Sequence, residues 1–109
     1  MSEITIAEFP FVANKSFVSG RTKPITIPAR LYGELRQNGL AEGTPAAITF
    51  RKGPRIVGAI RAGFRAGGRY YQITMRASQT SPEADSIKIG ARLKVKIIKT
   101  LQDWIIEVN

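Results

Sequence analysis

The sequence RIVGAIRAGFRAGGRYYQITMR, residues 55–76, decides the fold because it reads as two strands joined by a tight turn. Side chains of an extended chain alternate between two faces, which places Ile56, Ile60 and Phe64 together on a face that can pack. The opposite face carries the arginines Arg55, Arg61 and Arg65. Residues 66–68, Ala-Gly-Gly, have the composition of a hairpin turn. The period of two residues therefore predicts a β-hairpin with one apolar face and one cationic face.

The same alternation recurs along the chain and extends the prediction from a hairpin to a sheet. Tyr71, Ile73 and Met75 continue the apolar face on the return strand. Further strands are predicted over residues 4–12, 24–27, 46–51, 87–99 and 104–108. One short helix is predicted over residues 29–38, and exposed polar loops over residues 14–23 and 79–85. We predict one mainly β domain, residues 1–109, forming a small closed or partly open β-barrel with one short α-helix.

The composition argues against catalysis. The chain has 109 residues, 43% of them hydrophobic, which suits a single folded domain. It has neither cysteine nor histidine, and therefore lacks thiolate metal ligands, disulfides and the commonest general base. Its only acidic cluster, Glu83 and Asp85, offers few carboxylates for metal-assisted hydrolysis. We expect no enzyme activity, no catalytic residues, no metal and no cofactor.

The sequence also bears on location. No apolar run approaches the roughly eighteen residues of a membrane span, and the first residues lack the features of a secretory signal. We therefore expect a cytoplasmic protein with no membrane partner.

The distribution of charge points to a polyanionic partner. Seventeen Lys and Arg residues against eight Asp and Glu give a net charge of +9, a field that attracts polyanions. No acidic residue occurs between Glu42 and Glu83. That gap contains the candidate nucleic-acid-binding residues Arg51, Lys52, Arg55, Arg61, Arg65, Arg69 and Arg76. Arginine presents a fork of donors that matches phosphate oxygens and guanine edges, so this set is the leading candidate site.

Two smaller groups extend the candidate site. Lys94 and Lys96 lie on the outward face of a predicted strand and form a second cationic stripe. Tyr70 and Tyr71 are candidates for stacking on nucleobases, because every base presents a flat face. Since the two tyrosines are adjacent in a strand, only one of them can point outward.

Residues 25–44, ITIPARLYGELRQNGLAEGT, followed by an alternating strand to Phe50, resemble the strand, helix, turn and strand unit of AbrB-type and related cradle-loop β-barrels. A second copy is discernible from Ile73 to Ile98, with Gly90 following Gly43 by 47 residues. Thr44 and Ala91 stand where this family usually has an acidic residue. The family includes double-psi barrels and DNA-binding pseudobarrels, so the resemblance implies an internally duplicated barrel that binds DNA. A single AbrB-type unit would be shorter than this chain and would dimerise, so a self-contained duplicated barrel fits the length better, and whether the barrel forms a homodimer stays open.

The leading hypothesis is therefore a nucleic-acid-binding protein that favours DNA over RNA and binds through an arginine-rich β-ribbon. As a transcriptional regulator or architectural protein it would be associated with the nucleoid. Two alternatives stay open at this point. One is a module of OB-like fold for single-stranded DNA or RNA, and the other is a protein-interaction factor that docks an acidic partner.

Overall fold

The computed structural model describes residues 3–75 and 81–109, which form a seven-stranded sheet and short helices. In chain order the elements are β1 (Ile4–Val12), α1 (Lys15–Ser19), β2 (Ile25–Thr26), a 3-10 helix (Ala29–Leu31), α2 (Tyr32–Gln37), β3 (Pro45–Phe50), β4 (Ile56–Arg65), β5 (Gly68–Met75), α3 (Pro82–Asp85), β6 (Arg92–Lys99) and β7 (Trp104–Val108). No helix within these residues is long and apolar enough to cross a bilayer.

The strands are ordered β1-β6-β7-β3-β4-β5-β2 in the sheet. All neighbouring pairs are antiparallel except β3 and β7, which run parallel. Since β1 and β2 lie at the two ends of this order, the sheet is not closed by hydrogen bonds. The predicted mainly β, partly open fold is confirmed. The last strand, β7, lies between β6 and β3 with Trp104, Ile106 and Val108 buried, as the alternation predicted.

Strand pairing repeats between the two halves of the chain. The strands β1, β2 and β3 form one group and β4, β5 and β6 a second, with β7 outside this repeat. β1 pairs with β6 and β4 pairs with β3, so the first strand of each group pairs with the last strand of the other group. Between them, β2 and β5 place Ile25 directly opposite Ile73. These two isoleucines are equivalent positions of the sequence repeat. Pairing of a residue with its own equivalent is what a local two-fold axis requires.

Residues 14–23 do not form the exposed loop that the sequence predicts. They contain α1, whose first turn is capped by the side chain of Asn14, which accepts a hydrogen bond from the Phe17 N–H at 2.9 Å. Phe17 is fully buried, with ring centroids 5.4 Å from Phe11 and 6.0 Å from Phe50. The short polar residues of this stretch cap and flank a helix that anchors one large aromatic in the core.

The predicted helix over residues 29–38 is confirmed as a 3-10 turn that continues into α2. Leu31 and Leu35, one helical turn apart, are buried. The chain leaves the helix through Asn38, whose carbonyl accepts a hydrogen bond from the Lys99 ammonium. A third helix, α3, lies in the predicted 79–85 loop and is capped by Ser81. The described residues thus contain three short α-helices, where the sequence predicted one.

The hairpin of β4 and β5 is longer than its neighbours. β3 pairs with β4 only as far as Ala59, and β2 pairs with β5 only at Gln72 and Ile73. Beyond these points the hairpin has no third strand, and we name its outer part, residues 61–70, the arm. Phe64, which the alternation assigned to the packing face, is 77% exposed because the core does not extend over the outer part of the arm.

Gly58 and Gly63 in β4 do not introduce the bulges that the sequence suggested, since the register to both neighbouring strands is unbroken. Each glycine instead permits neighbouring atoms to approach the backbone of β4 closely. A Cβ on Gly58 would collide with the Ile48 side chain and the Thr74 carbonyl, and one on Gly63 would lie 2.5 Å from the Tyr70 ring.

Candidate functional site

The arm presents two different faces. Residues opposite each other in an antiparallel pair point to the same side, and Gly63 pairs with Tyr70 while Phe64 pairs with Arg69. Arg61, Gly63, Arg65 and Tyr70 therefore share what we name the Arg61 face. Ala62, Phe64, Arg69 and Tyr71 share the opposite side, the Phe64 face. Arg69 is thus on the other side of the arm from Arg61 and Arg65, whereas the sequence grouped all three.

On the Arg61 face, an aromatic ring holds an arginine in place. The guanidinium carbon of Arg65 lies 4.5 Å from the centroid of Tyr70, a cation–π contact. Tyr70 can lie across the strand because Gly63 has no side chain beneath the ring. The ring is half-buried by these neighbours. One side of the guanidinium is therefore held against an aromatic face.

On the Phe64 face, Tyr32 from the start of α2 packs against the arm. Its ring centroid lies 4.6 Å from that of Tyr71 with an interplanar angle of 33°. The Tyr71 hydroxyl donates a hydrogen bond to the Leu40 carbonyl at 2.7 Å. Tyr71 is buried and Tyr70 is half-exposed, so only one of the adjacent tyrosines points outward, as predicted.

The charges around Tyr32 perturb its titration. The Arg69 guanidinium donates a hydrogen bond to the Tyr32 hydroxyl and lowers the pKa of Tyr32 below its usual value, with a smaller contribution from the charge of Arg36. Burial raises the pKa of Tyr71 above its usual value. Arg69 and Arg36 thus place positive charge on the Phe64 face next to two stacked rings.

An open depression of about 370 Å³ lies on the arm between these groups. Its lining residues are Tyr32, Ala62, Gly63, Phe64 and Arg69. The floor carries only a methyl group and a glycine, and the walls are two aromatic rings and a guanidinium. The arm therefore combines flat apolar surfaces with cations around an unfilled space.

The arginines of the arm are not neutralised by carboxylates. Within residues 3–75 and 81–109, none of Arg61, Arg65 and Arg69 forms an ion pair with Asp or Glu. The Glu42 carboxylate contacts the arm through its backbone, accepting a long hydrogen bond from the Ala62 N–H at 3.5 Å. The positive charge of the arm is therefore available to an external anion.

The other predicted cations between Glu42 and Glu83 lie outside the arm. Arg51, Lys52 and Arg55 belong to the connection between β3 and β4, at the opposite end of β4 from the tip of the arm. Arg55 and Arg65 are ten residue steps apart along the strand, about 33 Å. Arg51 and Lys52 both have positive φ, 49° and 61°, in a tight turn closed by the Gly53 N–H and the Phe50 carbonyl at 2.8 Å. Arg76 lies outside the described residues.

Lys94 and Lys96 form a third group, on the outer side of β6, and they are paired with acids. Their ammonium nitrogens lie 3.3 and 4.0 Å from the carboxylate oxygens of Glu8 on β1. Lys96 is also directly opposite Glu107 on β7. This surface carries mixed charge and is separate from the arm, so the structure does not bring these lysines together with Arg61 and Arg65.

Sequence reasoning missed three contributors to the arm: the exposure of Phe64, the stacked ring of Tyr32 and the nearby charge of Arg36. One signal was present in the sequence. Residues 61–70, RAGFRAGGRY, contain no Ile, Leu, Val or Met, unlike the flanking parts of both strands. Loss of aliphatic residues at the inward positions indicates that the core no longer covers that part of a strand.

No protein-family model matches this chain, and no curated protein matches its sequence. The candidate site accordingly rests on the geometry and charge of the arm.

Proposed function

We propose that this protein is a non-catalytic nucleic-acid-binding protein that favours DNA and binds the duplex by inserting the arm into the major groove. The observation that carries the proposal is the position of the arginines. Arg61 and Arg65 lie on one side of the two-stranded arm and Arg69 on the other, and no carboxylate of the described residues pairs with them.

The dimensions and charge of the arm suit a groove. A major groove is about 12 Å wide and admits a two-stranded β-ribbon, with phosphates along both walls. A ribbon with arginines on both faces can reach both walls at once, whereas a cationic face on a flat sheet can reach only one surface. Phosphate contacts would position the arm and supply most of the affinity, and a guanidinium fork can also read the O6 and N7 edge of guanine.

The cellular role that we propose is that of a transcriptional regulator or a nucleoid-associated architectural protein. The +9 net charge supports this role because it raises the rate and strength of encounter with DNA independently of sequence. The second cationic group, Arg51, Lys52 and Arg55, lies about 33 Å from the tip of the arm and is not part of the proposed contact.

We further propose that the chain is a distant relative of the AbrB-like cradle-loop barrels. Two observations support this relationship. β1 pairs with β6 as β4 pairs with β3, and Ile25 faces its equivalent Ile73 across the β2–β5 pair. The second feature follows from duplication of one strand, helix, turn and strand unit, and the first follows if the duplication also included the strand that precedes this unit.

The test is fluorescence anisotropy with an end-labelled DNA duplex at several salt concentrations. If three arginines each neutralise one phosphate, log K should fall with log salt with a slope of about −3. The double variant Arg61→Glu/Arg65→Glu should lower affinity at least about a hundredfold, since two charge-assisted hydrogen bonds are lost.

The control is Lys52→Glu/Arg55→Glu, which changes the net charge by the same amount at the far end of β4. It should retain most of the affinity. Equal losses in both variants would show that bulk charge, not the arm, drives binding. A protein that fails to bind any duplex but binds polyglutamate would instead favour an acidic protein as partner.

A further inference from the structure

We propose that the Phe64 face of the arm holds one unpaired nucleobase between Phe64 and Tyr32, so that the preferred DNA carries a base that is not stacked in the helix. This inference rests on the proposed DNA-binding function and specifies the class of DNA. The site consists of Phe64, Tyr32, Ala62, Gly63 and Arg69 around the open depression of the arm.

The first argument is the exposure of Phe64. A phenyl ring that is 77% exposed contributes little to folding, and the other aromatic side chains of the hairpin are at least half-buried. Phe64 stands directly opposite Arg69, so an aromatic surface and a cation lie side by side at the tip of the arm. This combination is what proteins use to stack a base while its phosphate is held by arginine.

The second argument is that the opposing ring is fixed in advance. Tyr32 is stacked on Tyr71, its hydroxyl accepts a hydrogen bond from Arg69, and Tyr71 is itself tied to the Leu40 carbonyl. A ring held at both its face and its hydroxyl loses little conformational entropy when a base stacks on it. Tyr32 therefore serves as a rigid wall, and Phe64 as the free wall that can close on the base.

The third argument is the space between the walls. The depression that Phe64 and Tyr32 line has a volume of about 370 Å³, and its other lining residues are Ala62, Gly63 and Arg69. Ala62 contributes a methyl group and Gly63 contributes backbone alone. Neither residue fills the depression with a bulky side chain, so it is open to a flat ring.

The fourth argument is charge. Arg69 lines the depression, and Arg36 is close enough for its charge to act on both Tyr32 and Tyr71. Among the lining residues there is no carboxylate. A base that carries a phosphate on each side fits this arrangement, whereas an isolated apolar ligand would make no use of the two arginines.

The experiment uses the full chain and two fluorescein-labelled duplexes, one fully paired and one with a single unpaired 2-aminopurine. Anisotropy reports binding, and 2-aminopurine fluorescence reports stacking. The bulged duplex should bind about tenfold more tightly than the paired one, with quenching of 2-aminopurine. Phe64→Ala should abolish both the preference and the quenching, and Phe64→Trp should retain them. Leu101→Ala, at a residue 85% exposed outside the arm, is the matched control and should change neither.

The outcomes separate this inference from the proposed function. Binding of both duplexes with equal affinity, no quenching and no effect of Phe64→Ala would overturn the base site and leave duplex binding intact. Absence of binding to either duplex would overturn the proposed function itself. Circular dichroism of Phe64→Ala establishes that the variant is folded, which its exposure leads us to expect.

Discussion

Gly43 and Gly90 occupy equivalent turns 47 residues apart, and both adopt a backbone φ of +89°. Each donates its N–H to a carbonyl at 2.7 Å, Gly43 to that of Ile60 in β4 and Gly90 to that of Ala13, the residue after β1. Each turn is closed by a hydrogen bond to the first residue, from the Thr44 N–H to the Ala41 carbonyl and from the Ala91 N–H to the Lys88 carbonyl. The glycine is the third residue of the turn, the position where a type II turn requires positive φ. The chain therefore enters β3 and β6 in the same way.

Replacing either turn glycine should destabilise the protein through backbone strain alone. A Cβ at Gly43 or at Gly90 would meet no atom within 4 Å, so the cost comes from holding an alanine at positive φ. We expect Gly43→Ala and Gly90→Ala each to lower the free energy of unfolding by about 1–2 kcal/mol. Asparagine should cost less than alanine at both sites. Urea denaturation measures the effect.

The control for these variants is Gly33→Ala in α2. Gly33 is exposed, has no positive φ and also has no atom within 4 Å of an added Cβ. Because alanine favours a helix over glycine, Gly33→Ala should raise the free energy of unfolding by about 0.5–1 kcal/mol. Clearly unequal losses at Gly43 and Gly90 would contradict the equivalence of the two turns.

Phe17 should be among the most sensitive positions of the chain, although a sequence reading assigns it to an exposed loop. Its ring is fully buried against Phe11 and Phe50, so Phe17→Ala should cost about 3–5 kcal/mol. Val18→Ala, at the neighbouring and only partly buried residue, should cost much less. Thermal unfolding of both variants distinguishes an anchored helix from a loose loop, for which both changes would be small.

The period of two residues predicted the strands because it reports which side of a strand is apolar. It identified Ile56 and Ile60 as buried and placed Arg61 and Arg65 outside. It failed at Phe64 because alternation specifies a face but not whether another element covers that face. Coverage depends on where β3 stops pairing, at Ala59, and that is a property of the tertiary structure.

The grouping of arginines failed for a related reason. Arg69 was grouped with Arg61 and Arg65 by its charge, although it lies two residues before Tyr71 and alternation therefore assigns it to the apolar face of the return strand. In the structure Arg65 pairs with Gly68 and Phe64 with Arg69, so Arg69 lies on that face beside Phe64. Arg55 is also distant from the arginines of the arm, because it precedes the first residue of β4 whereas Arg65 is the last residue of this long strand.

The hydrogen bond between Arg69 and Tyr32 predicts a spectroscopic change. Since Arg69 lowers the pKa of Tyr32, Arg69→Gln should raise it toward the ordinary tyrosine value. The wild-type protein should therefore begin to ionise a tyrosine at lower pH than the variant. An absorbance titration near 295 nm, or the chemical shifts of labelled tyrosine, measures the difference. Arg51→Gln, at the far end of β4, should leave the titration unchanged, and an equal shift there would refute the contact.

The variant Gly63→Ala should distinguish the functions of the two faces of the arm. The new Cβ would lie 2.5 Å from the Tyr70 ring, so the ring must move off the strand and release Arg65 from its cation–π contact. Since an exposed cation–π contact is worth about 0.5–1 kcal/mol, we expect a small loss of stability and a two- to fivefold loss of duplex affinity, which corresponds to roughly the same free energy.

Quenching of an unpaired 2-aminopurine should persist in Gly63→Ala, because Phe64 and Tyr32 lie on the other side of the arm. Gly67→Ala at the turn meets no atom within 4 Å and should bind both probes as the wild type does. Loss of quenching in Gly63→Ala with duplex affinity unchanged would reverse the roles assigned to the two faces.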